Sequence, residues 1–306
     1  MFPLRPLAAL TLALVASTAL GANNTATLQQ DGNSGTLTLD QSGAGNNAAL
    51  YQLQGESNQI SVVQTGASSA TITQGGDVYG YAVGNVATLR QEAGSSVHSL
   101  TQDGFGNQAT VTSVGSNSGT LNQVASNAQL TLEQNGDNNQ VQIDQRGDSA
   151  VATLSQIGSD NRLALTQQGY LVDTVALTQR GQGNVATVSS SGKFNELAFT
   201  QDGNRNELTA DQAGRGNRFT GSSTGDDNLA SATIQGDSNQ TSIVQTGNGN
   251  EARLDTTSAI STASIAQVGD SNRASILQTS ANFNGFNDSA RISQSGFGNN
   301  ATINQR

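Results

Sequence analysis

The 306-residue chain contains no cysteine, so disulfide frameworks and thiolate metal sites are both excluded. Tryptophan is absent as well, and lysine occurs only as Lys193. With a net charge of −10, the chain lacks the basic face that phosphate binding needs, which excludes nucleic acid as a partner. Histidine also occurs once, as His98. A single imidazole with no second one and no convergent carboxylate makes a poor metal or catalytic centre, so His98 reads as a neutral histidine of the core or of a coil edge. Charged residues make up only 12% of the chain, whereas disorder usually goes with high net charge. Hydrophobic residues are 34% and aromatic ones 4%. That is too few large apolar side chains for a thick globular core, and it suits a thin core repeated many times.

What is abundant is glycine (35 residues), together with Ser, Thr, Asn and Gln. These residues are ordered in a repeat. Its clearest copy is Asn299-Asn-Ala-Thr-Ile-Asn-Gln305. Read with period two, Asn299, Ala301, Ile303 and Gln305 share one face of a strand. That face has a small and a large apolar residue in the middle and an amide at each end. Asn24-Ala26-Leu28-Gln30 opens the series in the same way. The Gln position recurs as 25 anchors, 20 of them Gln, and 18 of the 24 intervals are 11 residues. Two residues before the anchor stands Leu, Ile, Val or Phe in 22 of 25 copies. Eleven residues suffice for a strand of about seven and a turn of about four. Two copies return the chain to its starting side. The predicted fold is therefore all-β: a two-sheet parallel β-solenoid of about twelve 22-residue coils over residues 23–306.

Stacking would place equivalent residues about 4.8 Å apart, close enough for side-chain amides to bond along the axis. The expected amide ladders include Asn24, Gln30, Asn58, Gln64, Asn85, Gln91, Asn139 and Gln145. They continue through Asn161, Gln167, Asn195, Gln201, Asn272, Gln278, Asn299 and Gln305. The expected core includes Leu28, Leu89, Ile143, Leu165, Ile276 and Ile303. A slip of one residue would bury Thr and Asn in place of these, so register is strongly specified.

Residues 1–22 are a candidate signal peptide. Arg5 supplies the positive end, Leu7 to Leu14 the apolar stretch, and Ala19, Gly21 and Ala22 the small residues for cleavage. No later apolar run is long enough to cross a bilayer as a helix. Neither end of the repeat shows a helix, polar terminal coil or covering loop. The solenoid is thus expected to be uncapped, with end coils that pair with another copy of the chain.

The pattern Asn-x-Ala-x-x-x-Gln-x-Gly-x-Gly-Asn resembles the curlin repeat of curli, the bacterial extracellular amyloid. The closing run Gln294-Ser-Gly-Phe-Gly-Asn-Asn-Ala-Thr-Ile-Asn-Gln305 is similar to the last repeat of the major curlin subunit. The resemblance covers residues 24–306. It implies an exported, non-enzymatic subunit that needs no cofactor and forms extracellular fibres of the biofilm matrix at the bacterial surface. Self-association, with curli-type secretion and nucleation proteins as further partners, is implied too. Familiar curlins have about five repeats and a Gly-rich N-terminal secretion segment; this chain has about twelve repeats, and no such segment follows Ala22. A nucleating subunit and a monomeric adhesin or ice-binding solenoid are the alternatives.

Several features stand outside the repeat. Asp137, Asp160, Asp226, Asp227, Asp237 and Asp270 recur in turns, but without the Gly-Gly-x-Gly-x-Asp spacing of calcium solenoids; turn formation is their plain reading. The outward residues Thr27, Thr110, Thr187 and Thr302 are interrupted by Gln, Asn, Ser and Arg, which spoils a flat ice-binding array. Two longer intervals, around 76–84 and 280–287, carry Tyr79, Tyr81, Phe283 and Phe286 and read as loops leaving one edge. Residues 203–235 are expected to be the least stable part, because the large apolar position falls to Ala210, Gly221 and Ala232.

Overall fold

The computed structural model describes residues 11–16, 23–75, 82–279 and 288–305. Period-two sequences become strands wherever alternate residues can be buried. Gln129–Asn135 is representative: Leu130, Leu132 and Gln134 are buried while the residues between them are exposed. Among the described residues every strand pairing is parallel, and the strands form one 13-stranded and one 14-stranded sheet. Successive repeat strands alternate between the two sheets, so each sheet is built from every second copy.

Two strands lie outside the repeat. Thr11–Ala16 runs along Thr36–Gln41 in the 13-stranded sheet, and Ala82–Val83 pairs with Gly55 and Glu56 in the other. Without them the sheets hold 12 and 13 strands, one for each anchor, rising through 11 and 12 steps. This is a two-sheet parallel β-solenoid with coils of about 22 residues, as in the register Leu121↔Ile143↔Leu165.

The core is a thin slab between the sheets, made of a small and a large apolar row from each. Leu89, Ile143, Leu165 and Ile276 are fully inside it, whereas Leu28 and Ile303, in the end strands, are only partly buried. Turn glycines set how closely coils approach. Gly136 has φ +121°, and a Cβ there would lie 2.0 Å from the carbonyl oxygen of Gly158 in the next coil. Gly158 stands in the same relation to Gly181, at 2.1 Å. Only glycine fits such a row, on conformational and on steric grounds.

In the stretch 203–235, bulky residues stand at two inward positions that are small or polar in most other strands. Phe219 replaces the small residue of its strand and is fully buried, stacking on Phe199 with ring centroids 5.8 Å apart. A Cβ on Gly221 would meet the Ile243 carbonyl oxygen at 2.1 Å and Phe199 Cε2 at 2.7 Å, so glycine leaves room for both. Ile234 stands at the anchor position of its strand, fully buried. Phe199, Phe219 and Ile234 thus place bulk in the coils that hold Ala210, Gly221 and Ala232.

Of the aromatic insertions around 76–84 and 280–287, residues 76–81 and 280–287 lie outside the described residues, while Ala82–Val83 of the first is a short strand. The strands that lead into them, Ser69–Gln74 and Arg273–Thr279, both belong to the 14-stranded sheet. At the far end, Asn300–Gln305 pairs on one side with Arg273–Thr279, and its other edge meets no strand among the described residues.

Candidate functional site

The chemistry of the inner surface lies in its stacked amides. In the 14-stranded sheet, Gln52 Nε2 donates to Gln74 Oε1 at 3.0 Å. The chain of donation continues through Gln102, Gln123, Gln145 and Gln167, each step 2.8–2.9 Å. In the 13-stranded sheet Gln41 donates to Gln64 and Gln64 to Gln91. A second run links Gln134, Gln156, Gln179 and Gln201. Each glutamine also donates to a main-chain carbonyl of the facing sheet, as Gln201 does to Val185 at 2.9 Å and Gln145 to Gln129 at 3.2 Å. These second bonds fix which way the amide points. A buried amide is costly unless paired; here the neighbouring coils supply the pairs.

The asparagines form a ladder of opposite sense. Asn139 Nδ2 donates back to Asn117 Oδ1, Asn161 to Asn139, and so on to Asn272 and Asn299, at 2.8–3.1 Å. Each of these oxygens also accepts the main-chain N–H of the next asparagine, as Asn161 N does with Asn139 Oδ1. Across the slab Asn58 Oδ1 accepts Asn85 N, Asn85 Oδ1 accepts Asn107 N, and Asn195 Oδ1 accepts Asn217 N. Asn24 Oδ1 accepts Asn46 N, and Gln278 donates to Gln305 Oε1. Gln30 Oε1, in the first repeat strand, and Gln52 Oε1, in the next coil, are buried without a hydrogen-bond partner among the described residues.

Three arrangements escaped the reading of the sequence. The first concerns His98, buried as its inward register requires. In the 13-stranded sheet Ser113 stacks between Gln91 and Gln134 and is too short to continue the ladder. His98 reaches across from the other sheet and closes the gap. Gln91 Nε2 lies 3.1 Å from His98 Nδ1, and His98 Nε2 lies 2.7 Å from Gln134 Oε1. A neutral ring with its proton on Nε2 accepts from Gln91 and donates to Gln134, preserving the ladder's direction. Gly119 makes room: a Cβ there would meet His98 Cδ2 at 2.7 Å. Burial lowers the proton affinity of the ring below its ordinary value, partly offset by the bond to Gln134.

The second is Asp173, a buried acid at an asparagine position. Its Oδ1 accepts Asn195 N at 2.9 Å, and Ser190 Oγ donates to Oδ2 at 3.4 Å. Burial raises its pKa above the ordinary carboxylate value, and these bonds oppose the rise. The third is a row in the turns, where Asn204, Asp226, Asn248 and Asp270 each accept a main-chain N–H from the preceding coil. Carboxylates alternate with amides along it, which keeps the charges two coils apart. Among the described residues no three acids or histidines gather as a metal site. A hollow of about 640 Å³ on the outer face of the 14-stranded sheet is an open trough whose only ionisable side chain is Arg162.

The comparison with known families falls in a stretch where the Gln and Asn ladders run together. Residues 136–169 match the curlin associated repeat. The matched segment holds Asn139, Gln145, Gln156, Asn161 and Gln167 and spans about one coil and a half of the solenoid. No curated protein matches the chain.

Proposed function

We propose that the chain is a structural subunit of an extracellular, curli-type fibre, and that it polymerises through its end coils. The observation that carries this reading is the pair of amide ladders, which a further coil can extend at either end without new chemistry. At one end the outer edge of Asn300–Gln305 presents main-chain groups and the amides of Asn299 and Gln305; at the other, Thr25–Asn33 pairs with Asn47–Glu56 and its outer edge meets no strand among the described residues. A second copy in the same register would pair with such an edge, as neighbouring coils do inside the chain. Contact between unlike ends does not close on itself, so it yields filaments. The reading includes no catalysis and no cofactor. Residues 1–22 act in it as a signal peptide for export, and secretion and nucleation proteins of the curli type are the further partners.

The test uses the chain without residues 1–22, followed by thioflavin T fluorescence and negative-stain microscopy. Cross-β filaments are expected without any added cofactor. Gln30→Glu with Gln305→Glu should slow growth far more than Gln156→Glu with Gln167→Glu, because only the former pair must bond between subunits. Equal slowing by both pairs would remove the end-coil mechanism.

A further inference from the structure

His98 is the only titratable side chain within the Gln ladders, and it sits where the ladder would otherwise be cut. We propose that His98 makes the solenoid acid-sensitive at this coil, so that protonation of the bridging ring opens residues 91–134 and withdraws the chain from assembly. The regulatory part rests on the polymerisation proposed above; the local opening does not.

The argument is one of donors and acceptors. Both hydrogens of the Gln91 amide are committed: one points at His98 Nδ1, 3.1 Å away, and the other is shared between Ser69 O at 3.1 Å and Ser96 O at 3.2 Å. The only lone pair offered to it by the ring is on Nδ1. An imidazolium carries N–H on both nitrogens. Its Nδ1–H would then point at the Gln91 nitrogen, donor against donor. Turning the Gln91 amide over would relieve this only by breaking the bonds to Ser69 and Ser96.

Nothing nearby compensates the charge. The ring is packed by Gln91, Ser113, Gly119 and Gln134, none of which titrates. The inward side chains of the neighbouring strands are Ala70 and Ile72, Ala87 and Leu89, Ala109 and Val111, Leu121, Leu130 and Leu132, and Val141, all uncharged. The buried acid of the same strand, Asp103, is five residues along, roughly 17 Å away at about 3.3 Å per residue. A cation formed here keeps Gln134 Oε1 as acceptor for Nε2–H, but it has no counter-ion and its Nδ1–H has no acceptor, and water reaches it only when the coil opens.

The sign follows from linkage. In the opened chain the ring binds a proton near its ordinary pKa of about 6.5. In the closed coil its affinity is lower. Opening therefore takes up a proton, and is favoured as the pH falls below about 6.5. The effect can reach tenfold per pH unit, or about thirtyfold by pH 5.

The experiment compares the wild type with His98→Ala/Ser113→Gln, in which a glutamine completes the ladder directly. Hydrogen exchange is measured at pH 7.5 and 5.0 and corrected for intrinsic rates, with residues 240–267 as internal reference. Wild-type protection over residues 97–134 should fall by roughly ten- to thirtyfold relative to the reference at pH 5.0, and the double variant should hold within twofold. Long-range ¹H–¹⁵N spectra of the wild type should show the neutral Nε2–H tautomer at pH 7.5, which tests the bridge even if the double variant fails to fold. A ring protonated on Nδ1 at that pH, or equal acid loss in both proteins, overturns the proposal. Filament growth is followed in parallel and should slow in acid more for the wild type than for the variant. Absence of filaments at every pH would sink the polymerisation reading while leaving the exchange result intact. Filaments whose growth responds to acid equally in both proteins would sink the regulatory inference alone.

Discussion

Asp173→Asn should stabilise the protein, in a pH-dependent way. Asp173 occupies an asparagine position, with its Oδ1 already in the asparagine's role toward Asn195 N. What it lacks is the amide donor. At equivalent positions Asn184 Nδ2 donates to Gly203 O at 2.8 Å and Asn195 Nδ2 to Gly214 O at 3.1 Å, each 19 residues on. For residue 173 the same spacing leads to Gly192. The substitution adds one hydrogen bond, worth about 1 kcal/mol net, and removes the cost of a buried charge, for a total of roughly 1–3 kcal/mol at pH 7. Because the folded-state pKa is raised, the folded chain holds its proton more tightly than the unfolded one. Wild-type stability therefore falls as pH rises from about 3.8 toward the folded pKa, and the advantage of the variant should grow over that window and then level off. Urea unfolding of freshly prepared monomer, followed by circular dichroism, should show a midpoint raised by roughly 0.3–1 M at pH 7 for an m of about 3 kcal/mol/M. At pH 3.5 the gain should be much smaller. A less stable variant, or the same gain at both pH values, would refute the reasoning.

Gly221→Ala should destabilise by about 1–3 kcal/mol, since its methyl group would meet the Ile243 carbonyl and the Phe199 ring; an unchanged unfolding midpoint would show that the sheet yields there. Residues 207–237 should exchange amide hydrogens within about tenfold of their flanking coils, because Phe199, Phe219 and Ile234 place bulk in that part of the slab; much faster exchange would restore the expectation of a weak stretch. Asp227→Asn should leave the unfolding midpoint unchanged, although Arg205 holds the Asp227 carboxyl below the usual carboxylate range, because the pair is exposed to solvent.

The architecture was legible because two signals agree at every copy. Alternation gives the strand, and the 11-residue spacing of Gln gives the stacking. Both survive exceptions such as Ser113 or Thr256, since the backbone register depends on the apolar rows. What could not be read is what happens at the exceptions. Ser113 and His98 are 15 residues apart in different sheets, and only the fold shows that the imidazole fills the gap the serine leaves. Their joint departure from the pattern within one coil was the available signal. Asp173 carries no mark of its own in the sequence, because burial is not visible in a repeat where Asp and Asn alternate freely. Gly221 looked like lost packing because Phe199, whose ring lies against it, comes from the neighbouring coil of the same sheet.

The opposed sense of the two ladders bears on the partial charge left at the ends of such a rod. A column of amides all pointing one way sums its dipoles, as the peptide units of a helix do, and leaves partial charge at its ends. Here the Gln column donates toward the C-terminal coil, whereas the Asn column donates toward the N-terminal one. The two fields oppose each other coil by coil, so each added coil brings partial cancellation of its own. Along the stack, within one chain or across several joined, the amide columns therefore leave less partial charge at the ends than the Gln columns alone would.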